Sequence, residues 1–74
     1  MSPGESLDVP ARLDAVFRAE SGRILATLIA ILRDFDLAEE ALQEACTAAL
    51  RSWERDGVPS NPRAWLVQAA KHRA

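Results

Sequence analysis

The sequence predicts an all-α fold, a compact three-helix bundle, and three observations carry that prediction. Apolar residues recur at helical spacing through two long stretches, 13–31 and 42–53. Past the N-terminal residues, turn-forming Gly and Pro cluster in one place, Gly57 to Pro62. No period-two alternation marks a strand.

Residues 1–10, rich in Pro, Gly and Ser, are expected to form a flexible N-terminal segment, with the folded domain over 11–74. The first helical pattern begins near Asp8, where Pro10 is tolerated in a first turn. It continues through Leu13, Val16, Phe17, Ile24, Leu28 and Ile31 to about Leu32. Ser21-Gly22 leaves room for a bend or a split there, because a mid-helix glycine costs roughly 1 kcal/mol relative to alanine. Its second half, residues 24–32, is apolar nearly all round, which predicts the central, most enclosed element of the bundle.

Asp36 is expected to cap the second helix, with Glu39 at the spacing of a capping box, and the helix should reach about Arg55. Leu42, Cys46, Ala49 and Trp53 share one stripe, whereas Glu40, Gln43, Glu44, Thr47, Arg51 and Glu54 occupy another side. A turn-rich connection follows. Asn61 then offers a capping side chain and Pro62 a first helical residue that needs no N–H, so a third helix starts there with Pro62, Trp65, Leu66, Ala69 and Ala70 facing inward. Lys71-His72-Arg73-Ala74 carries neither a C-cap glycine nor a proline, and the last helix is expected to be truncated.

Composition narrows the function. With 49% hydrophobic and 27% charged residues the 74-residue chain falls among globular domains, with room for one small core. The single Cys46 excludes an internal disulfide and has no partner at zinc-ligand spacing, so a reducing cytoplasm is the simplest location. The longest apolar run is half a membrane span. One histidine, no activated serine and no glycine-rich phosphate loop leave no catalytic constellation, and neither a metal nor a cofactor is expected. Charge is segregated. Residues 1–60 hold all 11 acids against 6 arginines, a net of −5, while residues 61–74 hold Arg63, Lys71 and Arg73 with no acid, a net of +3. Two faces for two partners, one of them a polyanion, would fit that split; so would an ordinary solvated helix end.

The run DLAEEALQEACTAALRSW (36–53), followed after a proline-rich loop by NPRAWLVQAAKHRA (61–74), resembles region 2 of the extracytoplasmic-function group of bacterial sigma factors, within the sigma-70 family. The Gln43-Glu44-Ala45 triplet and the Pro62-Arg63-Ala64-Trp65-Leu66 run are its most telling pieces, and their order and spacing say more than either alone. The stretch RDGVPSNPRAWL looks most like a branch whose members often carry a C-terminal helical extension.

That resemblance implies a domain that docks on core RNA polymerase and binds the melted promoter during initiation. Glu40, Gln43 and Glu44 match the surface that meets the arginine-rich clamp helices of the β′ subunit, where carboxylates accept bidentate guanidinium pairs. The loop from Gly57 to Asn61 and the start of the last helix match the reader of the -10 element on the non-template strand. His72 falls near the place of the captured base, Gln68 lies one turn earlier, and Arg63, Lys71 and Arg73 would contact phosphates. An anti-sigma factor or a C-terminal extension is implied as a further partner, and a membrane is not. Cys46 and Leu50 stand where the group commonly has larger aromatics, which predicts a looser seam between helices.

Taken without the resemblance, the same residues read differently. The acidic side of the second helix is then a solvated face, His72 a surface histidine and Trp65 a core residue. Arg73 would lay its stem along the core edge. A helical protein-interaction module that never touches nucleic acid is the alternative.

Overall fold

The computed structural model describes residues 8–73, which form three helices: α1 (Asp8–Leu32), α2 (Phe35–Asp56) and α3 (Pro62–Arg73). Residues 1–7 of the expected flexible segment lie outside the described residues, and Val9 and Pro10 already belong to α1. At 25 residues α1 is about 37 Å long. It runs unbroken through Ser21-Gly22, so of the two possibilities left open there the split does not occur. Gly22 is exposed, and a Cβ placed there would meet nothing within 4 Å.

Tertiary packing corrects the role of the apolar half of α1. Ile24 and Leu28 are fully buried, but Ala26, Thr27, Ala30 and Ile31 face outward, and α2 is the central element instead. Six α2 residues are buried, Ala38, Ala41, Leu42, Ala45, Ala49 and Trp53. Four of them are alanines on one stripe, and a side chain of one carbon lets both neighbouring helices approach closely. In a bundle of three, each helix is covered by two others, so an all-round apolar helix must leave part of its surface exposed.

The start of α2 differs from expectation in its cap. Asp34, extended at φ −155° and ψ 117°, accepts a hydrogen bond from Leu37 N–H at 2.9 Å, and Asp36 sits inside the first turn. Glu39 therefore closes no capping box, which needs the third helical position, occupied here by Leu37. The reason is the tightness of the corner. Arg33 takes a left-handed φ of 62° while its N–H donates to the Ile29 carbonyl at 2.7 Å, which turns the chain within Arg33-Asp34 and places Asp34 at the cap.

Gly57, at φ 90°, ends α2 by donating to the Trp53 carbonyl at 2.8 Å, and five residues, 57–61, lead to α3. There Asn61 caps as anticipated, its Oδ1 accepting from Ala64 N–H at 3.1 Å, with Pro62 first in the helix. Leu66 and Ala70 are the buried residues of α3, while Pro62, Trp65 and Ala69 are half-buried. Trp53, the largest buried side chain, meets Trp65 edge to face, with ring centroids 5.5 Å apart and planes at 70°. No described helix is long and apolar enough to cross a membrane.

Candidate functional site

Because α2 lies between α1 and α3, its outward stripe is flanked by two grooves, and the two are opposite in character. The groove toward α1 is apolar, with a volume of about 410 Å³, and is lined by Leu13, Phe17, Cys46 and Leu50, with Asp14 and Gln43 on its rim. It adjoins a second depression shared by Phe17, Leu25, Gln43 and Glu39. Every charged residue lining either depression is acidic. Phe17 and Leu50 stay 38% and 39% exposed, so the seam is open where the small Cys46 and aliphatic Leu50 stand. Burial pushes the Cys46 thiol above its usual pKa range.

The groove toward α3 is cationic and larger, about 630 Å³. Arg51 and Arg55 of α2 and His72 and Arg73 of α3 converge on it, with Ser52, Thr47 and the ring of Trp65 between them. Arg55 is shared with Asp56 at 3.3 Å, whereas Arg51 and Arg73 have no ion-pair partner among the described residues. Unpaired guanidinium groups beside a half-buried indole offer what a single-stranded polyanion uses, cations for its phosphates and an aromatic surface for a base.

The anticipated residues divide among these surfaces. Glu40, Gln43 and Glu44 are all exposed on the outward side of α2. Gln43 borders the apolar groove and Glu44 the cationic one, so the acidic and basic surfaces adjoin along one helix instead of lying on separate faces. His72 and Arg73 are brought together in the cationic groove; Gln68 and Lys71 are exposed outside its lining. Asn61 is exposed with its Oδ1 engaged in the cap. Arg63 is half-buried and hydrogen-bonded to Glu20 of α1. Trp65 packs on Trp53 and also lines the groove.

Arg51 and Arg55, which line this groove, were not among the anticipated site residues. The signal that would have found them is their spacing from Glu44, seven and eleven residues, which returns them to the same side of the helix, and that side faces α3.

An uncharacterized protein of Rhizobium meliloti (strain 1021) is 42% identical over 55 residues, covering 74% of this chain and 13% of that protein. The chain thus spans about an eighth of the length of this relative. No solved structure matches. Residues 16–74 match sigma-70 region 2, and this match over most of the chain makes it a member of that family.

Proposed function

We propose that this domain serves an extracytoplasmic-function sigma factor in two ways. It docks on the β′ clamp helices of core RNA polymerase through Glu40, Gln43 and Glu44, and it binds the non-template strand of the melted -10 element. The strand follows the cationic groove between α2 and α3 toward the loop 57–61. His72 and Gln68 lie nearest the captured base, Lys71 and Arg73 reach phosphates with Arg51 and Arg55, and Asn61 shapes the loop. The cytoplasm is the location that this role requires. An anti-sigma factor or a C-terminal extension of the parent protein would act by covering either groove.

The observation that carries this reading is that Arg51, Arg55, His72 and Arg73 line one groove together with the ring of Trp65. A helical adaptor has no use for Arg51 and Arg73, unpaired among the described residues, in a groove that also holds an aromatic ring, whereas a strand binder does. On the docking side, Glu40, Gln43 and Glu44 are exposed, and Gln43 borders an apolar groove whose charged lining residue is the acidic Asp14, which suits an arginine-rich helix carrying an apolar anchor.

Two measurements test it. A single-stranded -10 oligonucleotide should bind more tightly than a scrambled one of equal length, and its affinity should fall as salt rises. Replacing Glu40, Gln43 and Glu44 together by arginine should abolish retention of the domain on immobilised core polymerase. Equal binding of the two oligonucleotides refutes the strand assignment, and undiminished retention refutes the docking face.

A further inference from the structure

Among the described residues one ion pair joins two helices: Arg63 Nη1 of α3 lies 3.2 Å from Glu20 Oε1 of α1, across 43 residues of sequence. The other two pairs link neighbours on the same helix and are far more exposed. Here the side chains are 42% and 34% exposed, so water reaches the pair without surrounding it. Arg63 is the second residue of α3, next to the reading loop, and Asn61 fixes the same turn through its cap. Glu20, Asn61 and Pro62 also border one small depression between α1 and the helix start.

Resting on the assignment of the loop 57–61 to promoter reading, we infer that Glu20 is a positioning residue that holds Arg63 as a strut and withholds it from phosphates. The cation that α3 carries beside the loop is thereby neutralised in place. Arg51 and Arg73, with no ion pair among the described residues, remain to bind the strand backbone. This division favours specificity over affinity. A free cation beside the loop would attract any phosphate chain regardless of sequence, whereas a neutralised one lets the shape of the loop decide.

The inference separates from a purely structural role because its variants move in opposite directions. Glu20→Gln should release Arg63. Affinity for a scrambled oligonucleotide should rise about two- to fivefold, the range of a partly exposed ion pair. The logarithmic salt slope should steepen by about 0.7, one single-strand phosphate contact. The preference for the -10 sequence should shrink. In the native background Arg63→Gln should leave the slope unchanged, and adding it to Glu20→Gln should return the slope to the native value. Heparin chromatography supplies an arm independent of promoter reading: Glu20→Gln should elute at higher salt than the native chain, and the double variant should not. Unchanged heparin elution of Glu20→Gln overturns the inference, as does a slope flattened by about 0.7 in Arg63→Gln alone. If heparin elution shifts as stated but native protein binds both oligonucleotides equally, the masking of Arg63 stands and the promoter-reading assignment falls.

Discussion

Arg51 offers the sharpest test of the strand-binding groove, because its removal should be silent for the fold. It is exposed on α2, has no ion-pair partner among the described residues, and alanine is the better helix former. Arg51→Ala should therefore shift stability by no more than about 0.5 kcal/mol. Its effect on binding follows from the four cations assigned to phosphates, Arg51, Arg55 and Arg73 in the groove lining and Lys71 outside it. If each neutralises one phosphate of a single strand, the logarithmic salt slope is about −2.8 for the native chain and about −2.1 for the variant. Between 50 and 200 mM salt the native chain then loses roughly fiftyfold in affinity and the variant roughly twentyfold. Fluorescence anisotropy of a labelled -10 oligonucleotide, titrated at four salt concentrations, reads both slopes. Quenching of Trp65 at the groove wall reports occupancy independently. An unchanged slope in a variant with native circular dichroism would remove Arg51 from the path of the strand, and the groove reading with it.

Four further predictions concern the fold. Gly22→Ala should stabilise by about 0.5–1 kcal/mol, since the site is helical and open, and thermal unfolding should shift upward by roughly 2–8 °C. Arg33→Gly should stabilise by about 1 kcal/mol by relieving the left-handed backbone at φ 62°, readable by urea titration. Asp34→Ala should cost about 1 kcal/mol through loss of the α2 cap, while Asp36→Ala costs clearly less, an order that reverses if Asp36 is the cap. Burial raises the Cys46 thiol pKa in the folded chain above its unfolded value, so folding disfavours the thiolate. The contribution is fully present below the thiol's unfolded pKa and is lost as pH rises through the folded value, so Cys46→Ser should flatten the alkaline fall in stability.

Much of this fold was legible because local signals and burial agreed. Asn61-Pro62 announced α3, and the stripe Leu42, Ala49 and Trp53 announced the inner face of α2. The misplaced cap shows where legibility stopped. Asp34 and Asp36 are equally good caps in isolation, and the choice between them was made by Arg33, whose left-handed turn is invisible in a residue that rarely adopts it. The candidate site was harder. Glu40, Gln43 and Glu44 could be placed on an exposed side from periodicity alone, but the cationic groove requires knowing which side of α2 faces α3. Arg51 and His72 are 21 residues apart in sequence and meet only through the antiparallel return of the chain. Arg63 illustrates the converse. Its charge suggested a phosphate contact, and only the tertiary fold reveals a carboxylate already there.

The charge pattern along α2 also bears on whether the docking test can be trusted. Acids near a helix start and cations near its end are favourable with the macrodipole, and a stability rationale of that kind would make charge variants ambiguous. The effect is confined to the first and last turns, however, so Asp36 and Arg55 benefit and Glu40, Glu44 and Arg51 do not. Glu40 and Glu44 are one helical turn apart, alike in charge and without an ion-pair partner among the described residues, a pairing that costs an isolated helix about 0.2–0.5 kcal/mol. The fold thus gains nothing from these carboxylates, which agrees with the docking face proposed above. Removing them should leave α2 as stable as before or slightly more so, and a loss of polymerase retention then reports on docking and not on unfolding.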